Sequence, residues 1–100
     1  MKVTTLCFLI RENKIFLSIK KEGFGVGFLN GYGGKNKPSE SIEEGAVREI
    51  EEECGVRVKV KDLEKVAVID FYKSREHLFQ CHVYFAHEWV GEFRESEEMA

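Results

Sequence analysis

The sequence predicts a mixed α/β domain, and three observations lead there. Two apolar, β-branched runs stand near the amino terminus, the periodicity turns helical at residue 41, and two longer strand-like runs follow residue 64. Helix and strands alternate without a regular strand–helix–strand repeat, which makes a mixed α/β domain the natural class. A chain of 100 residues, 43% hydrophobic and 33% charged, shows no internal repeat, low-complexity tract or linker. It is therefore one domain over residues 1–100 with a modest core.

Residues 3–10 and 15–19 carry the first two strands, and the polar RENK between them forms a tight turn. Next comes GFGVGFLNGYGGKNKP, whose six glycines from Gly23 to Gly34 mean turns and close approach of bare backbone to something else. Gly23 and Gly25 read as turn formers and not as a dinucleotide fingerprint, because Phe28 stands where the third glycine would be. Ile42, Ala46, Val47, Ile50 and Cys54 fall three and four apart and make one apolar stripe, so a helix runs over residues 42–54. Ser41 with Glu44 forms a capping box at its start, and Gly55 suits a left-handed cap at its end. Residues 56–60 alternate like a short strand, and residues 65–72 and 78–86 are two longer strands joined through KSREH. The long pair carries Val66, Val68, Phe71, Phe79, Val83 and Phe85, more than one face hides, so a homo-oligomer is expected.

Net charge is -3, and the basic residues are scattered apart from Lys20-Lys21 and the alternating Arg57, Lys59 and Lys61. A surface that wraps a nucleic-acid polymer is not expected, whereas a small phosphorylated ligand held through a metal fits. Cys7, Cys54 and Cys81 are odd in number, widely spaced and without a second ligand at zinc spacing, which suits reduced, buried thiols in a cytoplasm. His77, His82 and His87 show no ligand spacing with one another and receive no role. The apolar run that breaks at Arg11 is too short for a signal or a membrane span.

The densest charge lies in REIEEECGV, residues 48–56, with glutamates at 49, 51, 52 and 53. On a helix Glu49, Glu52 and Glu53 stand at i, i+3 and i+4, so their side chains converge on one face. Such like-charge pairs cost about 0.2–0.5 kcal/mol each, which a solvated helix face tolerates. Hard divalent cations, however, prefer carboxylate oxygens, and magnesium takes one or two of them together with waters and substrate phosphates. Three convergent carboxylates beside a glycine-rich loop can hold one to three ions next to a phosphate chain.

From Gly34 onward, GKNKPSESIEEGAVREIEEECGV resembles the Nudix box position for position. Gly34 is followed after five residues by Glu40, and after seven more by Arg48-Glu49, the aliphatic Ile50, Glu52-Glu53, Gly55 and the aliphatic Val56. The preceding KKEGFGVGFLNGYGGK is similar to the same segment of Nudix enzymes that hydrolyse oxidised purine nucleoside triphosphates such as 8-oxo-dGTP. The resemblance implies an α/β/α sandwich around a mixed sheet, and a hydrolase that uses magnesium or manganese to cut a nucleoside triphosphate into monophosphate and pyrophosphate. It implies Glu49, Glu52 and Glu53 as metal ligands, assisted by the carbonyl of Gly33 or Gly34, with Glu98 in ESEEM as a further acidic ligand or base. Glu53 or Glu98 would be the general base, and Arg48 would hold a glutamate carboxylate in place.

Asn30 stands where that branch contacts the base, and Thr5, Lys20, Phe24 and Phe71 would line the same pocket. Apart from the resemblance, these four read as a strand residue, a surface charge and two core aromatics. Leu29 replaces a tryptophan common in the branch. Related domains also continue beyond the position of Ala100, so the sheet is expected to lack a carboxy-terminal strand and helix, together with an aspartate pair that reads the base. The box is shared with hydrolases of ADP-ribose, dinucleoside polyphosphates and capped RNA. A non-catalytic nucleotide sensor is a further alternative, one that an altered box glutamate would favour, and none is altered here.

Overall fold

The computed structural model describes residues 2–19 and 29–93. In chain order they form β1 (Val3–Arg11), β2 (Lys14–Phe16), β3 (Ser18–Ile19), β4 (Leu29–Asn30), β5 (Tyr32–Lys35), α1 (Ile42–Cys54), a single 3-10 turn (Val60–Asp62), β6 (Leu63–Lys73) and β7 (Glu76–Ala86). The main sheet is mixed. β1 pairs antiparallel with β2 and β5 along one edge and in parallel with β7 along the other, and β7 pairs antiparallel with β6.

The turn between β1 and β2 is tighter than RENK suggests, because Arg11 and Lys14 are themselves paired. Glu12 and Asn13 take up the reversal with φ of 54° and 62°, the left-handed pair whose twist matches that of the flanking strands. The expected strand over residues 15–19 divides in two. β2 stays in the main sheet, while β3 pairs with β4 in a separate two-stranded ribbon. Residues 56–60 form no strand. Val56 and Val58 are buried and Arg57 is exposed, so the alternation is real, but the segment's one ladder-type pairing among the described residues is that of Arg57 with Val90, at 2.8 and 3.0 Å, while the Lys59 and Val60 carbonyls accept from the 3-10 turn.

α1 has both predicted ends. Ser41 accepts from the Glu44 amide while the Glu44 carboxylate accepts from the Ser41 amide, and Gly55 closes the helix with φ 86° and a bond to the Glu51 carbonyl at 2.9 Å. Its stripe of Ala46, Ile50 and Cys54 packs on Cys7 and Leu9 of β1 and on Tyr84 and Ala86 of β7. Full burial of a leucine or isoleucine side chain is worth about 1.5–3 kcal/mol, so this seam is what fastens the acidic helix to the sheet.

Strand register assigns the remaining side chains. Thr5 pairs with His82 and His82 with Val68, a row on the α1 side, whereas Thr4, Cys81 and Ile69 form the neighbouring row on the opposite face. No helix covers that opposite face among the described residues, and Ile69 and Phe71 are 43% and 41% exposed there. One outer layer of the expected sandwich is thus in place, and the mixed sheet beneath it is the expected one.

Candidate active site

Arg48 is the hub of the acidic helix. Its Nε and Nη2 grip both carboxylate oxygens of Glu40 at 2.8–3.3 Å, Nη1 donates to Glu49 at 2.6 Å and to Glu52 at 3.0 Å, and Nη2 also donates to the Lys35 carbonyl at 3.1 Å. A planar guanidinium with five donors suits this fork, and an ammonium does not. The electrostatics follow. The Arg48 hydrogen bond, aided by the Lys37 amide, holds the Glu40 carboxyl well below its ordinary value, at about 2. The same contacts push Arg48 further above its already high value. The resemblance drew attention to Glu49, Glu52 and Glu53, and the strongest ion partner of Arg48 is instead Glu40.

Glycines bring backbone up to these carboxylates. At Gly33 an added Cβ would lie 1.9 Å from the Thr5 carbonyl oxygen, so only glycine lets β5 sit this close to β1. At Gly34 an added Cβ would meet Glu49 Oε2 at 2.6 Å, so the Glu49 carboxylate rests against bare backbone. Glu53 is 4% exposed, and its Oε1 accepts the Gly33 amide at 2.7 Å. Helix and glycine strand are therefore tied together at the residues the box singles out.

The loop between β5 and α1 is braced from inside. Asn36 donates to the carbonyls of Glu40 and Ser41, both at 3.2 Å, and a Cβ on Gly45 would meet Asn36 Oδ1 at 2.1 Å. In the first turn of the helix Glu43 accepts from the buried Tyr84 hydroxyl, which lowers the Glu43 carboxyl. Burial first, and Glu43 second, raises the Tyr84 phenol above its usual range. The Tyr84–Glu43 pairing does not show in the sequence, since it joins groups on different elements.

The other expected site residues divide. Thr5 is 4% exposed on the α1 side, and its Oγ1 has no hydrogen-bond partner among the described residues; the same holds for Nδ1 of its cross-strand neighbour His82. Burial holds His82 below its ordinary value, with Lys65 adding to the effect. Phe71 lies on the opposite face of the sheet from Thr5, stacked on Phe79 at 4.5 Å, so the two do not share one pocket wall as expected. Asn30 contributes backbone to β4. Lys20, Phe24 and Glu98 lie outside the described residues. All three cysteines are free thiols and buried, and burial, with Cys54 nearby, pushes Cys7 up to about 12, so Cys7 is no ready nucleophile.

Among the described residues, no three His, Cys, Asp or Glu side chains stand close enough to form a ready cage for a cation. The donor set nevertheless fits one: Glu49, Glu52 and Glu53 offer hard oxygens, and the tight glycine strand brings backbone to Glu49 and Glu53. Arg48 supplies the balancing positive charge in this arrangement.

A mixed sheet whose glycine strand is clasped by one capped acidic helix defines a Nudix-type domain. The NUDIX domain family matches residues 1–99. The chain is 38% and 39% identical over 99 residues to proteins of Danio rerio and Mus musculus that each bear the name oxidized purine nucleoside triphosphate hydrolase. Each match takes in 98% of this chain and 62% of the relative, so the chain spans less than two thirds of their length. A MutT NUDIX hydrolase from Burkholderia pseudomallei superposes with a TM-score of 0.86 at 29% identity, over 99% of this chain and 78% of that one. The chain belongs to the Nudix family.

Proposed function

We propose that this chain hydrolyses a nucleoside triphosphate to the monophosphate and pyrophosphate, favours an oxidised or modified purine, and uses magnesium or manganese. The observation that carries the reading is the pair of box carboxylates Glu53 and Glu49 set against Gly33 and Gly34, with Glu52 tied to Glu49 through Arg48, in a chain 38–39% identical to oxidised-purine hydrolases. A divalent cation held by Glu49, Glu52, Glu53 and the Gly33 carbonyl would neutralise phosphate charge and act as a Lewis acid.

The chain's own residues do the rest. Arg48 holds Glu49 and Glu52 in place and does not contact phosphate. Glu53 or Glu98 accepts the proton of the attacking water as the water oxygen bonds to phosphorus, the P–O bond that bridges the α- and β-phosphates breaks, and the monophosphate and pyrophosphate separate. Asn30 faces the base. Thr5 assists it, because a buried hydroxyl without a partner costs about 1–3 kcal/mol, and a substrate N–H or carbonyl would supply that partner. Three buried free thiols suit a reducing cytoplasm. No helix among the described residues is long and apolar enough to cross a membrane.

Incubation with magnesium and a nucleotide panel, with products separated by chromatography, tests the proposal. Monophosphate and pyrophosphate from an oxidised purine triphosphate are expected. Turnover confined to ADP-ribose, dinucleoside polyphosphates or capped RNA would move the chain to another Nudix branch, and binding without turnover would make it a sensor.

A further inference from the structure

We propose that the outer edge of β6 is a self-recognition surface, on which a second copy of this chain pairs in antiparallel register. Among the described residues β6 has a strand neighbour, β7, on one side only. Such edges are normally kept short or blunted. β6 instead runs for eleven residues, and Val66, Val68, Ile69, Phe71 and Tyr72 are 41–61% exposed along it.

Its charges tell which occupant fits. A two-fold axis normal to the sheet reverses strand direction and keeps faces together, so residues that meet across it must share a face. With the axis at Ile69, Val68 meets Asp70 and Ala67 meets Phe71. The irregularity between Lys65 and Ala67 inserts one extra residue, and beyond it Lys65 meets Tyr72 and Glu64 meets Lys73, each twice by symmetry. Without that insertion the same axis would set Lys65 against Lys73. The bulge thus replaces a like-charge contact with an opposite-charge one. An axis at Val68 would set Lys65 against Asp70, whose carboxylate His77 and Gln80 already engage, would leave Glu64 against Phe71, and would carry Lys73 past Leu63, the first residue of the strand. Asp70 does not disturb the centre, because its carboxylate already meets His77 at 3.0 Å and Gln80 at 3.1 Å within its own chain.

Sedimentation velocity of the whole chain at about 100 µM, where interfaces at the small end of the size range associate, is expected to show a dimer. Ile69→Lys is expected to give a monomer. Glu64→Lys and Lys73→Glu should each weaken association by about tenfold, since every cross-strand pair occurs twice, and the double variant Glu64→Lys/Lys73→Glu should restore it. The charge variants change exposed side chains and keep the test open if Ile69→Lys disturbs the sheet. A monomeric wild type at that concentration, or a double variant no tighter than the single ones, overturns the proposal.

Discussion

Replacing Arg48 by lysine separates geometry from charge at the hub of the acidic helix. The guanidinium reaches three carboxylates and one carbonyl, and its grip on Glu40 is bidentate. A lysine ammonium can keep one of these contacts well and a second poorly. Glu52 is 55% exposed and counts for little, but Glu40 and Glu49 are 14% and 13% exposed. Breaking a fully buried pair costs about 3–5 kcal/mol and an exposed one about 0–1, so a site this sheltered should lose about 2 kcal/mol. For a domain of this size that is about 8–16 °C in melting temperature. The assay is thermal unfolding followed by circular dichroism at neutral pH without divalent cations, with Arg57→Lys as the control. Arg57 also meets a glutamate, Glu51, at 3.0 Å, but the two side chains are 75% and 47% exposed, and their loss should move the midpoint little. The pH dependence gives a second readout. The folded Glu40 carboxyl is lowered from 4.5 to about 2, so its contribution is complete above the unfolded value and disappears as pH falls through about 2. Arg48→Lys should flatten that part of the stability curve. If Arg48→Lys melts within about 2 °C of wild type, or Arg57→Lys costs as much, the fork is not what organises the site.

Glu53→Gln should lower turnover by at least about a hundredfold, as for an acid–base or metal-ligating group, yet keep the fold, because the amide oxygen can still accept from Gly33. Wild-type activity in that variant would remove Glu53 from the chemistry. Asn30→Ala should change the ratio of rates on oxidised and normal purine triphosphates without altering the metal dependence; a uniform loss on every nucleotide, pyrimidines included, would make Asn30 structural. Gly33→Ala drives a methyl group into the Thr5 carbonyl oxygen and should destabilise by about 1–3 kcal/mol or more. Hydrogen exchange would show it as lost protection in β5, and unchanged protection there would mean that β5 has room to shift.

What the sequence revealed was whatever depends on neighbours along the chain. Ser41, Glu44 and Gly55 are local signals, and α1 begins and ends where they say. β6 and β7 were expected too short because their ends are polar: Glu64, Lys73 and Glu76 carry ladder pairings that hydropathy does not register. Residues 56–60 misled because alternation reports burial, and a strand also needs a partner over several residues. The separation of Thr5 from Phe71 depends on pairing register, which includes shifts between Lys65 and Ala67 and between Phe71 and Tyr72 that no composition signals. The Glu40–Arg48 fork spans a helix cap, so neither the helical nor the strand period points from one residue to the other.

The parallel pairing of β1 with β7 has a consequence for synthesis. Thr4 donates its hydroxyl to the Gln80 carbonyl, 76 residues further on, and the whole central seam of the sheet spans a similar stretch of chain. At about 5–20 residues per second, the first strand waits roughly 4–15 s on the ribosome before its inner neighbour exists. The β1–β2 hairpin can close during that wait, but the loop that joins β1 to β7 must be closed at an entropic cost before any of their contacts repay it. For those seconds Leu6 and Phe8 have no β7 to pack on, so a nascent chain stalled before residue 76 is the form in which this protein most needs a chaperone.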